Sequence, residues 1–196
     1  VGMVLIVLAL LDLRGPEKRV KGAAQDTKTI ILVDSSASML AEDVRPNRFS
    51  KALLLIKHYV KKAIGQQISL VVFSDNQKRI IPFTDDIDLI YARIERLESL
   101  NLGRGGTGLS QAIAESVEYF KSSGGELTGN ILIFTDAEET ELGFPLDIPD
   151  GITVGMIGIG TAKGAAIPVR DSRGEFRGNK KHQGKVVISK LDEAVL

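Results

Sequence analysis

The chain has 196 residues, 43% hydrophobic, 26% charged and 5% aromatic, with 25 basic and 25 acidic residues in balance. That length supports one well-buried core, and the composition is that of a folded domain rather than a disordered one. Zero formal net charge removes any global field that would draw nucleic acid, and the lack of cysteine excludes disulfides, thiolate metal sites and a cysteine nucleophile.

The first eleven residues, "VGMVLIVLALL", carry no charge, and the highly charged "DLRGPEKRVKG" follows them. A spanning helix needs roughly 20 apolar residues. Val1–Leu11 therefore reads as the end of a transmembrane helix whose earlier part lies upstream, with an extra core helix as the alternative. A signal-peptide core fits less well, because no basic stretch precedes it and no small-x-small cleavage site follows. Arg14, Lys18, Arg19 and Lys21 just after the run lean toward a cytoplasmic domain. The expected organisation is residues 1–12 as the helix end, 13–27 as a charged linker and 28–196 as the folded domain.

From Thr29 onward, short apolar runs alternate with amphipathic stretches. "TIILVD" (29–34) has the pattern of a strand buried on both faces. In "RFSKALLLIKHYVKKAI" (48–64), Phe49, Leu53, Ile56, Val60 and Ala63 mark one face of a helix, with Gly65 as its stop. "ISLVVFS" (68–74) reads as a second strand. After the turn Asp75-Asn76-Gln77, "KRIIPF" (78–83) carries a proline and basic residues that suit an antiparallel edge strand. "TDDIDLIYARIERLESL" (84–100) opens on a Thr/Asp cap and aligns Ile87, Ile90, Ile94 and Leu97. "TGLSQAIAESVEYF" (107–120) aligns Leu109, Ile113, Val117 and Phe120 in the same way.

"NILIFTD" (130–136) and "ITVGMIGIG" (152–160) are two further buried strands, "KVVIS" (185–189) is a last one, and "KLDEAVL" reads as the start of a helix. Only the 15 residues "AEETELGFPLDIPDG" join the strand ending at Asp136 to that starting at Ile152. They hold two prolines and no helical period, so this crossover is expected to lack a full helix. Strands alternating with helices give an α/β fold, a doubly wound, mostly parallel sheet with one antiparallel edge strand.

Ligands of open α/β sheets bind at the carboxyl ends of the strands. Three segments deliver side-chain oxygens there: Asp34-x-Ser36-x-Ser38 after the first strand, Thr107 in "LGRGGTGLS", and Asp136 at the end of "ILIFTD". Two carboxylates and three hydroxyls, completed by water, form an all-oxygen set suited to Mg²⁺. Mn²⁺ is tolerated by the same ligands, and Zn²⁺ is disfavoured without His or Cys. Each piece also has an ordinary reading: Ser36 and Ser38 as helix caps, Thr107 as an N-cap, Asp136 as the cap of a turn. Their coincidence at three strand ends favours the ion.

These residues resemble the metal-ion-dependent adhesion site of a von Willebrand factor A domain, D-x-S-x-S followed by a Thr and then by the Asp of a T-D pair. The resemblance covers roughly residues 28–196. "MLAEDVRPNRFSKA", "VVFSDN", "PFTDD", "GTGLSQAI" and "IGIGTAKGAAIPV" are most similar to the membrane-anchored, aerotolerance-operon (Bat-type) bacterial proteins. The resemblance implies a transmembrane helix before the domain and another after it, and a bacterial inner-membrane location. It implies Asp34, Ser36, Ser38, Thr107 and Asp136 as metal ligands, with an Asp or Glu of a protein partner completing the coordination. It further implies work beside a MoxR-type AAA+ ATPase and sister A-domain proteins in an envelope or stress-response assembly. Two departures stand out: Ala37 and Ala137 occupy positions where the family usually has glycine. Alanine disfavours positive φ, so a loop needing that geometry would be strained.

The function expected is a non-catalytic, metal-dependent protein-interaction domain. One alternative is a Mg²⁺-dependent phosphoryl-transfer enzyme or phospho-acceptor on the same acids, although "DSSAS" lacks the second carboxylate of a D-x-D motif and no lysine stands near as charge stabiliser. Another is a degenerate domain that binds partners without metal. "LGRGGTG" follows a helix rather than a strand, which argues against a nucleotide loop. His58 and His182 read as surface residues, "DSRGEFRGNKKHQG" (171–184) as an exposed hairpin or loop, and Glu138 and Glu139 as solvated loop acids. Met39 and Leu40 either rim the metal face or pack under the loop.

Overall fold

A computed structural model describes residues 27–98, 106–124, 127–138, 147–171 and 173–192. The apolar run Val1–Leu11, the linker, Glu139 and the last four residues lie outside them. Among the described residues no helix is long and apolar enough to cross a membrane.

Five strands build the main sheet: β1 (Lys28–Asp34), β2 (Gln67–Phe73), β3 (Gln77–Thr84), β4 (Gly129–Thr135) and β5 (Ile152–Gly158). Their order is β3-β2-β1-β4-β5, with β1 in the centre. β2 and β4 both run parallel to β1, and β5 runs parallel to β4. β3 returns antiparallel to β2 at the edge, where Pro82 and the exposed Lys78 and Arg79 are tolerated.

Alternation along β1 divides the core. Ile31 and Val33 pack with Phe49, Leu53, Ile56 and Val60 of α1 (Arg48–Lys62) and with Ile90, Ile94 and Leu97 of α2 (Ile87–Glu98). Ile30 and Leu32 face Leu109, Ile113, Val117 and Phe120 of α3 (Leu109–Ser122). Each such side chain contributes roughly 1.5–3 kcal/mol on burial. The starts of α1 and α2 are satisfied locally. Asn47 Oδ1 accepts from Ser50 N at 2.8 Å, while Thr84 Oγ1 and Asp86 Oδ1 accept from Asp86 N and Leu89 N.

The segment after β5 departs from expectation. "KVVIS" is not one strand. It divides into β10 (Lys185–Val186) and β11 (Ile188–Ser189), which pair antiparallel with β9 (Lys181–His182) and β6 (Ala165–Ala166) respectively. The cause is local: Gln183 and Gly184 turn the chain with φ 48° and 78°, so Lys185 pairs back onto His182 and cannot extend the main sheet. β7 (Pro168–Arg170) and β8 (Phe176–Asn179) form another hairpin, in line with the reading of 171–184. His58 and His182 are exposed. Lys190–Asp192 is irregular rather than helical: Leu191 N donates to Thr161 O and Asp192 N to Asp136 O, and the segment crosses the end of the sheet as a strap.

Candidate metal centre

The parallel register brings the site together. Val33 of β1 lies opposite Phe134 of β4, so Asp34 emerges level with Thr135 and next to Asp136. After Asp34 the chain enters a short 3-10 turn, Ala37–Leu40, whose first cap residue is Ser36. The Ser36 side chain makes no capping bond. Its Oγ lies 2.8 Å from Ser38 Oγ, so the two hydroxyls converge rather than cap the turn. Met39 is fully buried in the core beneath this turn and does not rim the surface.

Asp34 is fully buried. Its Oδ1 accepts from Ser36 N at 2.8 Å and its Oδ2 from Thr135 Oγ1 at 2.7 Å. Burial pushes its carboxyl up to about 7, and the negative charge of Asp136 adds to the rise against the lowering effect of the Thr135 and Ser36 bonds. Asp136 is equally buried; its Oδ1 accepts from Glu138 N at 3.2 Å, the turn-capping contact expected of it. Thr107 is buried at the head of α3, next to Gly108, whose N–H donates to Ser74 O just beyond β2. Gly108, not Thr107, holds the N-cap position of α3. Asp34, Ser36 and Ser38 are thus joined by hydrogen bonds, Asp136 is coupled to Asp34 through charge, and Thr107 arrives at the same carboxyl edge.

The two alanine departures separate. Ala37 sits inside the 3-10 turn, whereas Ala137 takes φ 59°, the left-handed geometry that glycine adopts without cost. Ala137 N donates to Thr135 Oγ1, and this bond holds the strained residue in place.

Three residues of the site are not evident from the ligand pattern. Thr135 links Ala137 N to Asp34 through one hydroxyl. Arg48 is fully buried and donates from Nη1 to Asp136 Oδ2 at 2.7 Å. Asp43 receives Arg48 Nε and Nη2 at 2.8 and 2.9 Å and also accepts from Thr161 N and Oγ1. Burial raises the Asp43 carboxyl, but the bonds from Arg48 and Thr161 outweigh it and hold the group at about 2. A sequence signal for Arg48 existed: with Ala52 and Ile56 it forms an i, i+4, i+8 row that is wholly buried, so an arginine stands on the apolar face of α1. Glu138 is not a free loop acid, since its Oε2 accepts from Ser189 Oγ at 2.5 Å.

The donor set fits a hard divalent ion. It is entirely oxygen, it contains two buried carboxylates, and a cation would relieve both the burial of Asp34 and its repulsion from Asp136.

A family model of the von Willebrand factor type A domain matches residues 29–139, a span that contains all five candidate ligands. An aerotolerance-related membrane protein from Bacteroides fragilis NCTC 9343 is 31% identical, with a TM-score of 0.71 over 86% of this chain and 84% of that one. BatB from Bacteroides thetaiotaomicron is 26% identical, with a TM-score of 0.69 over 86% of this chain and 82% of that one. An uncharacterised protein of Borreliella burgdorferi is 24% identical over 178 residues, 87% of this chain and 52% of its own length. The chain spans about half the length of the curated relatives it matches. With the family model matching more than half of its residues and both solved neighbours sharing its fold over most of their length, the chain belongs to the von Willebrand factor type A domain family.

Proposed function

We propose that the chain is a non-catalytic protein-interaction domain whose binding face is completed by a divalent cation. Asp34, Ser36, Ser38, Thr107 and Asp136 would hold the ion, and an Asp or Glu of a protein partner would complete its coordination. The observation that carries this reading is the Asp34 carboxyl, buried beside two converging hydroxyls and raised to about 7 by that burial. A carboxylate so placed is unfavourable without a cation and well placed with one. Mg²⁺ is the expected ion and Mn²⁺ a substitute, because the donors are hard oxygens with few carboxylates. Arg48 offsets the charge of Asp136, so the ion keeps enough positive charge to attract an anionic side chain.

The same guanidinium weakens the phosphoryl-transfer alternative. All five of its N–H donors are engaged by Asp43, Asp136 and Ser189, which leaves none to stabilise a transferring phosphate. The description of the Bacteroides fragilis neighbour as a membrane protein supports membrane association; the proposed location is the bacterial inner membrane, with the apolar run Val1–Leu11 as part of the anchor. In that setting the domain would work beside a MoxR-type AAA+ ATPase and sister A-domain proteins.

Calorimetric titration of the domain with Mg²⁺ and Mn²⁺, beside Asp34→Ala, tests the central point. Saturable binding that the variant loses supports a working site. Absence of binding at millimolar metal refutes it and returns the domain to a metal-free mode of interaction.

A further inference from the structure

Arg48 is the largest fully buried side chain among the described residues, and the ligand set does not account for it. Withdrawing a guanidinium from water is costly unless every donor is satisfied. In this fold every donor is. Nε and Nη2 clamp the two oxygens of Asp43 at 2.8 and 2.9 Å. Nη2 also reaches Ser189 O at 3.0 Å, and Nη1 divides between Ser189 Oγ and Asp136 Oδ2, both at 2.7 Å. Asp43 alone would have made a complete two-pronged pair. The additional bond to Asp136 spans 88 residues and ends on one of the five candidate ligands.

The geometry has a direct consequence for that ligand. One oxygen of Asp136, Oδ2, is committed to Arg48. Among the described residues the other, Oδ1, accepts a long 3.2 Å bond from Glu138 N, which leaves it lone-pair capacity to give. The planar fork, itself held by Asp43 and through it by Thr161, fixes the Asp136 carboxylate before any ion arrives. Gly160 makes room for this arrangement, because a Cβ there would lie 2.9 Å from Arg48 Nε.

We propose that Arg48 is a positioning residue for the cation site, which orients Asp136 so that Oδ1 alone serves the ion or its bound water. The proposal rests on the cation-binding reading above. It differs from a purely structural role, in which Arg48 merely pins the strap bearing Ser189 to α1. A structural pin would move stability and leave metal affinity alone. A positioning residue moves affinity in a protein that is still folded, as outer partners of metal ligands do, by about 10–100-fold.

The test is Mn²⁺ titration by calorimetry on the wild type, Asp34→Ala, Arg48→Lys and the double variant Arg48→Gln/Asp43→Asn, with thermal melts in chelator for each. Lysine keeps the charge but loses the fork. The double variant removes both charges of the clamp together, so that neither is left buried alone. The expected result is cooperative melting in both Arg48 variants, with Mn²⁺ binding about 10–100-fold weaker than wild type. Affinity within threefold of wild type, or tighter, in either folded variant overturns the proposal, and full recovery by lysine shows that charge rather than orientation matters. If Arg48→Lys does not fold, the double variant decides alone. Wild type that binds while Asp34→Ala does not, with Arg48 variants unaffected, sinks only the positioning role. Wild type that does not bind at all sinks the cation reading and this proposal together.

Discussion

Asp34→Asn should make the metal-free domain more stable at pH 8, although the replaced side chain is fully buried at the centre of the site. The amide keeps the shape, an oxygen for Ser36 N and a polar contact to Thr135 Oγ1, but carries no charge. In the wild type, burial and the neighbouring Asp136 raise the carboxyl from 3.8 to about 7. At 1.36 kcal/mol per unit, that displacement corresponds to at most about 4 kcal/mol of destabilisation once Asp34 is ionised, and relaxation around a buried charge reduces it to about 2–4 kcal/mol. The sign follows from proton counting. Between pH 4 and 7 the native protein still holds a proton that the unfolded chain has released, so stability falls as pH rises through this window and levels off above it. The variant lacks that slope. Melting both proteins in chelator from pH 5 to 8 isolates the effect, because titrating groups not coupled to Asp34 cancel in the difference. At pH 8 the variant should melt roughly 5–15 °C higher. Saturating Mg²⁺ should then narrow the gap by raising only the wild type, by about 2.7 kcal/mol at a hundredfold excess over the dissociation constant. A difference that does not change with pH, or a less stable variant at pH 8, would refute the idea that an ionised Asp34 strains the metal-free fold.

Metal binding should release close to one proton per ion below pH 7, with apparent affinity falling about tenfold per pH unit, as calorimetry in buffers of different ionisation enthalpy would reveal. The alanine departures should respond differently to glycine. At Ala137, relief of about 1–2 kcal/mol of left-handed strain offsets the lost methyl and the looser unfolded chain, so Ala137→Gly should change stability by under about 1 kcal/mol. Ala37→Gly, in the 3-10 turn, has no strain to relieve and should cost about 1–2 kcal/mol by denaturant titration. Gly160→Ala should destabilise by about 1–3 kcal/mol, because its Cβ meets an arginine that cannot withdraw without breaking the Asp43 clamp; unchanged melting would show that Arg48 is freer than its bonds imply.

Much of this architecture is legible in the chain itself. Short apolar runs locate β1, β2, β4 and β5 to within two residues, and the residues aligned at helical spacing in α1 and α3 are all buried. Pro82 and its basic neighbours mark β3 as the antiparallel edge. Apart from the hairpin around 171–184, the described residues after β5 are not legible in this way. Strands of two to four residues carry too little periodicity to detect, and "KVVIS" looks continuous because the turn at Gln183 and Gly184, which pairs Lys185 with His182, lies outside it.

For the site, residue type and order along the chain are enough to name Asp34, Ser36, Ser38, Thr107 and Asp136 as candidates that meet at one edge. For Asp34, Ser36, Ser38 and Asp136 local chemistry determines that much, because an oxygen-bearing side chain just past a buried strand in a parallel sheet can only emerge at the carboxyl end; Thr107, at the head of a helix, is named by its place in the motif. What tertiary structure alone decided is the electrostatic state of those groups. Asp34 has its acidity weakened by depth of burial, and Asp136 has one oxygen taken by an arginine 88 positions earlier. Burial and charge pairing depend on which distant segments pack together, and that information enters only when β1, α1, β4 and the C-terminal strap close around the same small volume.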